Sequence, residues 1–191
     1  MILSKEDLKA YLNLDAIALG HRRSLKHILA PDVIWEFQKC LRKLEYYTNT
    51  RKKYNLLCFL YYKYRFRKLS LKLNFTIPIN VFGPGLSIAH YGTIIVSSNA
   101  KVGRFCRIHA STNIGASAGQ PEAPCIGNNV YIGPGAILFG DIQIADDITI
   151  AANATVNKSC NKTNVILAGT PAKIVKEDYP NWKNNNQKNN H

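Results

Sequence analysis

The sequence predicts a parallel β-solenoid with a helical region in front of it, and three observations predict this. Aliphatic residues recur six apart: Phe82, Ile88 and Ile94, then, after a two-residue slip, Val102, Ile108 and Ile114, and then Ile126, Ile132, Leu138, Ile144, Ile150 and Val156. Small or turn-prone residues follow many of them, including Gly103, Gly115, Gly127, Gly133, Ala145 and Ala151. A period of six is neither helical nor simple strand alternation; it fits a coil in which each short strand and its turn add one flat side. Third, residues 4–72 carry helix signals instead. The 46% hydrophobic content supports a real core and argues against general disorder.

Taken in order, Ser4 with Asp7 forms a capping-box pattern that opens a first helix. Leu8, Tyr11, Leu12 and Leu14 are its expected apolar face, and Gly20 its stop. Ala30-Pro31-Asp32 marks a second start, followed by Val33, Ile34, Phe37, Leu41 and Leu44 at helical spacing. A third helix covers roughly 51–69, rich in Tyr, Leu, Arg and Lys. Its basic, aromatic face suits a membrane surface, or it packs on the solenoid and closes its open end. Closure is favoured, because solenoids need a capped terminus. Pro78 ends any helix, making Asn74–Asn80 the crossover, and the hexads run from about 81 to 170. Residues 117–125, with two prolines, read as a loop beside the coil, and such loops often carry function. Asn184–His191 reads as disordered. The division is a helical domain over 1–73, a solenoid over 74–176 and a flexible tail over 177–191.

The net charge of +13 is uneven. Residues 1–72 hold 16 Lys/Arg against 6 Asp/Glu, and the remainder 9 against 6. The basic N-terminal part suits a solvated helical face or an anionic partner such as a membrane surface, an acidic glycan or nucleic acid. Cys40, Cys58, Cys106, Cys125 and Cys160 are scattered without a CxxC pair, which suits buried thiols in a reducing cytosol and suggests no zinc site. No signal peptide is visible, and the apolar stretch Leu56–Tyr62 is far too short to span a bilayer.

The segment Ile126-Gly-Asn-Asn-Val-Tyr-Ile-Gly-Pro-Gly-Ala136 and the ending Ala168-Gly-Thr-Pro-Ala-Lys-Ile-Val175 resemble the hexapeptide-repeat acyltransferases. More closely, Gly85-Leu-Ser-Ile-Ala-His90-Tyr-Gly-Thr-Ile-Ile-Val96 resembles the catalytic rung of serine O-acetyltransferases. The resemblance is strong over about 81–175. It implies a left-handed parallel β-helix, a homotrimer, and acetyl-CoA as co-substrate without a metal. It also has departures. The family's aspartate before the catalytic histidine is Ala89 here, and the aspartate on the preceding rung matches Phe75. The Arg-His-Pro that helps to hold serine reads Glu122-Ala123-Pro124. In these respects the chain is closer to the serine-acetyltransferase-like enzymes that acetylate capsular or surface polysaccharide.

Acetyl transfer from a thioester to an alcohol needs a base, oxyanion donors and a slot for the pantetheine arm. Histidine is the natural base near neutral pH, and His90 is the expected catalytic residue. Ile88 and Ile108 lie one coil apart, which sets His90 and His109 near one edge. His109 is a candidate for binding acceptor or orienting His90, against a purely structural role. Because the family's carboxylate is missing, Asn80 and Asn113 are further candidates for setting the His90 tautomer. By position in the motifs, coenzyme A contacts are expected at Ala116, Gly133, Pro134, Ala151 and Ala152, although tight corners also demand small residues. Lys173 is expected at a nucleotide phosphate, with Lys158 a weaker candidate. Cys106 and Cys125 show no feature that lowers a thiol pKa.

The same coil hosts zinc-dependent carbonic anhydrases, but His21, His27, His90, His109 and His191 offer no pair five apart within it. A basic binding scaffold is the rival from another class; no recognised nucleic-acid motif supports it, and no nucleic-acid partner is expected. The expected function is transfer of acetyl from acetyl-CoA to a glycan or glycan-precursor hydroxyl in the cytoplasm, with peripheral membrane contact through the basic N-terminal part left open. L-serine acetylation is the alternative.

Overall fold

A computed structural model describes residues 1–21, 32–50 and 56–183. Residues 30–31 of the second expected helix start, 51–55 of the third helix and the tail from 184 lie outside the described residues.

Three helices come first: α1 (Lys5–Leu19), α2 (Val33–Thr50) and α3 (Leu56–Leu73). Short strands follow: β1 (Phe75–Thr76), β2 (Ser87–Ile88), β3 (Ile94–Val96), β4 (Lys101–Val102), β5 (Arg107–Ile108), β6 (Thr112–Gly115), β7 (Cys125–Ile126), β8 (Tyr131–Ile132), β9 (Ile137–Phe139), β10 (Gln143–Ile144), β11 (Thr149–Ile150), β12 (Thr155–Val156), β13 (Ile166–Gly169) and β14 (Ala172–Lys176). They form three sheets: A, in order β1-β3-β6-β9-β12; B, in order β10-β7-β4; and C, in order β14-β13-β11-β8-β5-β2. Consecutive strands visit the sheets in rotation, so the chain winds around three parallel faces. Among the described residues, only the hairpin β13–β14 is antiparallel.

The hexads are the inward columns of this coil. On sheet C, Ile88, Ile108, Ile132, Ile150 and Leu167 stack in register. On sheet B the column is Val102, Ile126 and Ile144, and on sheet A it is Val96, Ile114, Leu138 and Val156. All are buried, each side chain contributing about 1.5–3 kcal/mol.

The slip, however, is one side earlier than expected. Ile94 pairs with Thr112, and Val96 is the residue that stacks on Ile114. The two extra residues therefore lie between Ile88 and Val96, at the corner that carries His90. Ile94 occupies the position two before the column, held by Thr112, Ala136 and Ala154 on the turns below. Both positions face inward, so an aliphatic residue suits either.

The helices cap the coil, mainly through α2. Gln38 donates to the Leu86 carbonyl (2.8 Å) and accepts from the Ile88 amide (3.4 Å), on the edge of β2 that has no strand above it. Buried Arg42 pairs with Asp15 (2.7 Å) and Glu45 (3.0 Å) and donates to the carbonyls of Phe82 and Gly83. Asp15 accepts from the amides of Gly85 and Leu86 (2.7 and 2.8 Å), and Glu45 from Asn80. First-turn backbone groups without a rung above them are thus satisfied by charged side chains. Phe37 adds an apolar seal, edge-on to Phe75 (5.0 Å) and stacked on Phe66 of α3 (5.4 Å).

Helix α1 has the expected capping box, with Ser4 and Asp7 exchanging bonds, and ends at Gly20 with φ 70°. Its buried residue is Asp15, whereas Leu8, Tyr11, Leu12 and Leu14 are half-buried. The helix is recruited by a charge rather than by an apolar stripe. Asp32 caps α2 through the amides of Ile34 and Trp35.

Two boundaries are corrected. The expected crossover Asn74–Asn80 already contains the first rung, because Phe75 and Thr76 pair with Ile94 and Ile95. The expected tail is docked over its described part, residues 177–183. The Tyr179 amide bonds to Asn164, the Asn181 side chain to Asp147, and the buried Trp182 indole to the Phe105 carbonyl (3.1 Å). This segment climbs the sheet B–C corner, where one apolar anchor and successive polar contacts repay its ordering.

Candidate active site

The chemistry-bearing residues gather at the corner where the chain passes from sheet C to sheet A. Successive turns build it from 89–93, 109–111, 133–136 and 151–154, each between a sheet C strand and a sheet A strand.

His90 stands exposed on the first of these turns, the one lengthened by two residues. Gly92 closes the longer turn at φ 129° and donates to the Leu73 carbonyl. A Cβ on Gly92 would meet that of Ala110 at 3.1 Å, so the turn lies tight on the next. The His90 and His109 rings are 5.8 Å apart, and the Tyr131 ring is 4.9 Å from His109. His109 Nε2 is buried with no hydrogen-bond partner. Burial, reinforced by the positive charge of Arg107 and of His90, pushes the His109 pKa down to about 4. Its imidazole is therefore neutral around pH 7, beside an exposed imidazole that solvent and ligands reach.

Below the histidines the corner is lined by small residues. A Cβ on Gly133 would meet the Ala152 amide nitrogen at 2.7 Å, so these turns approach as closely as glycine permits. Pro134 and Ala152 are exposed and Ala151 is half-buried. Lys173 is exposed on β14 opposite Ala168, at the foot of the same corner. Thus His90, His109, Gly133, Pro134, Ala151, Ala152 and Lys173 share one edge.

The other expected residues do not join them. Ala116 and Lys158 follow β6 and β12, at the sheet A–B corner, where loop 117–124 also projects. Asn113 lies on the outer face of sheet A between Ile95 and Ile137. Asn80, proposed to orient His90, instead exchanges amide bonds with Asn49 of α2 (2.9 Å each). It sits under the helical cap, on the approach to sheet B, because its left-handed backbone (φ 62°) turns the chain there.

Sequence reasoning missed Ser87, Arg107 and Tyr131. Each directly precedes a column residue, so all three project outward in register on sheet C. Arg107 is half-buried, donates to Ser87 Oγ (3.0 Å) and lies over the Trp182 ring (5.6 Å). The hexad register contained their shared face; nothing local marked Trp182. Cys106 is buried, which pushes its thiol up to about 12, so it offers no nucleophile. Among the described residues no His, Cys, Asp and Glu side chains group to hold a metal ion, and no helix is long and apolar enough to cross a membrane.

No family model matches the chain. The serine acetyltransferase of Mycobacterium tuberculosis is 31% identical over 105 residues, which is 54% of this chain and 45% of that protein. The serine acetyltransferase of Buchnera aphidicola is 26% identical over 189 residues, 96% of this chain and 67% of that protein. The chain therefore spans less than half the length of the first of these relatives. Among solved structures, the Brucella abortus serine acetyltransferase superposes with a TM-score of 0.71 at 25% identity, over 90% of this chain and 70% of that one. Its complex with coenzyme A superposes at 0.73 and 23% identity, over 92% and 70%.

Proposed function

We propose that this protein is an acetyl-CoA-dependent O-acetyltransferase of left-handed β-helical fold, with His90 as general base. The observation that carries the reading is the exposed His90 on the lengthened corner turn, above turns lined by small residues. An exposed imidazole can take a proton reversibly, while small side chains let a pantetheine arm approach the backbone amides. The acceptor hydroxyl gives its proton to a ring nitrogen of His90 as its oxygen bonds to the thioester carbon. Cleavage of the carbon–sulfur bond then releases a thiolate, which takes that proton and leaves as the coenzyme A thiol. No covalent enzyme intermediate is required. Neutral His109 supports this cycle, since it adds no positive charge beside the imidazolium that forms on His90. Gly133, Pro134, Ala151 and Ala152 hold the coenzyme arm, and Lys173 meets a phosphate.

For the acceptor, the relatives favour L-serine, the alternative expected from sequence, over a glycan hydroxyl. One observation keeps the glycan as a second reading. Phe75, at the position matching the family's upstream aspartate, is buried inside the coil against Phe37. Ala116, Lys158 and loop 117–124 lie across sheet A from His90, which supports a homotrimer whose neighbouring copy brings that corner to the site. Exposed Leu57, Tyr64 and Leu71 on α3, beside Lys63, Arg67 and Lys68, support contact with an anionic membrane periphery in the cytoplasm.

The test is thiol release from acetyl-CoA with L-serine and surface oligosaccharides as acceptors. His90→Ala is expected to lower acceptor-dependent turnover by about 10²–10⁴ while leaving the melting temperature unchanged. Turnover that survives the substitution, or none by the wild type with any acceptor, would overturn the reading.

A further inference from the structure

Arg107 is a cation without an ionic partner in a place that desolvates it. Its guanidinium is half-buried, and burial pulls its pKa below the ordinary arginine value. Among the described residues no carboxylate forms an ion pair with it; its contacts are the Ser87 hydroxyl and the face of Trp182. Arg42, fully buried, has by contrast two carboxylates and two carbonyls. A guanidinium carries five donors in a planar fork that matches a carboxylate. Taking one out of water beside a single hydroxyl leaves most of that capacity unused, at a cost an anion would offset.

Arg107 sits two residues before His109 on the outer face of sheet C, in register between Ser87 and Tyr131. Its bond to Ser87 sets the guanidinium against β2, the strand that leads into the turn carrying His90. Next to it His109 holds a buried, unpaired Nε2, and Tyr131 closes on the His109 ring. His109, whose ring lies 5.8 Å from that of His90, links this patch to the base. On the other side Trp182 and the docked C-terminal segment bound the patch.

We propose that Arg107, with His109 and Tyr131 beside it, forms an anion-binding subsite that holds a carboxylate of the acceptor, so that the acetylated hydroxyl belongs to a carboxylate-bearing compound. The inference rests on the acetyl-transfer reading for its purpose but on the arginine's surroundings for its existence. The shared chemistry, a hydroxyl near a carboxylate, comes from a hydroxy amino acid or from an acidic sugar. Arg107 is a specificity residue; His90 remains the base.

The experiment measures binding and turnover separately. Calorimetric titration uses L-serine against L-serinamide, and a glucuronate-containing disaccharide against its carboxyl-reduced form, with the wild type, Arg107→Gln and Arg107→Lys. The wild type is expected to bind one of the two carboxylates about 10- to 100-fold more tightly than its neutral analogue, the range of a hydrogen bond to a charged group. Arg107→Gln is expected to abolish that preference, with coenzyme A binding and melting temperature retained, and Arg107→Lys to restore part of it. The carboxylate that binds identifies the source. Equal binding of charged and neutral forms, no binding of either carboxylate, or a preference that survives Arg107→Gln each overturns the subsite. Should Arg107→Gln not fold, the charged-to-neutral ratio in the wild type decides. Arg107-dependent binding without acetyl transfer supports the subsite and overturns the acetyl-transfer reading alone.

Discussion

Two arginine environments in this chain show how differently its helical cap and the outer face of its coil are built. At the capped end, Arg42 is sealed and fully paired, and its partners Asp15 and Glu45 are also hydrogen-bonded to the first turn of the coil. One strand below the capped edge of sheet C, Arg107 is half-buried and pairs with no carboxylate among the described residues. The coil satisfies its backbone with its own turns and its interior with aliphatic columns. Buried charge at the top is therefore structural: it replaces a rung that does not exist. Charge on the outer face of sheet C has no backbone to satisfy, which is why a ligand is the natural partner for it.

The largest expected effect breaks the capped side of this comparison. Arg42→Met leaves Asp15 and Glu45 buried without a counter-charge and is expected to cost about 3–5 kcal/mol in urea unfolding. The triple change Asp15→Leu, Arg42→Met, Glu45→Leu sharpens the point. Isolated buried ion pairs are often replaced at little cost, but here the amides of Asn80, Gly85 and Leu86 and the carbonyls of Phe82 and Gly83 lose their partners. No recovery of stability is expected; a triple variant as stable as the wild type would mean that water serves the first turn equally well.

The apolar side is broken next. Ile132→Ala, in the middle of the sheet C column, is expected to cost about 2–5 kcal/mol, whereas Ile95→Ala on the outer face of sheet A is expected to stay within about 0.5 kcal/mol. Smaller again is Gly133→Ala, expected to cost about 1–3 kcal/mol by overpacking the Ala151–Ala152 turn, and to weaken coenzyme A binding with it. A melting curve with and without coenzyme A separates the two effects.

The smallest effect concerns pH. His109 is held near 4 in the folded chain against about 6.5 when unfolded. The unfolded chain therefore takes up more protons as the solution is acidified, so this residue's contribution is present above pH 6.5 and is lost as pH falls through 4. His109→Gln is expected to flatten the dependence of the urea midpoint in that window, measured as a difference from the wild type. An unchanged slope would mean that the ring is solvated in solution.

How much of this was legible in the sequence follows from where each signal is stored. The column residues could be read one by one, because a six-residue period survives in the chain itself. The slip was set one side late for a definite reason: Ile94 is as aliphatic as Val96, both face inward, and only pairing register separates them. His90 and His109 could be brought to one corner by counting turns. Asn80 was misassigned because its partner, Asn49, is remote in sequence, and Trp182 was lost in a polar tail because its anchor, Phe105, belongs to a distant turn.

The sequence by itself determined the three-sided coil, its apolar columns and the corner that carries the histidines, since each depends on a repeat that local spacing records. The tertiary structure decided the rest: that Asp15 and Arg42 would be buried together, that two extra residues would lengthen the His90 turn, and that Arg107 would stand desolvated between Ser87 and Tyr131. These depend on which backbone groups are left without a neighbour when separate segments meet, and hydrogen bonds between such segments leave no period in the chain.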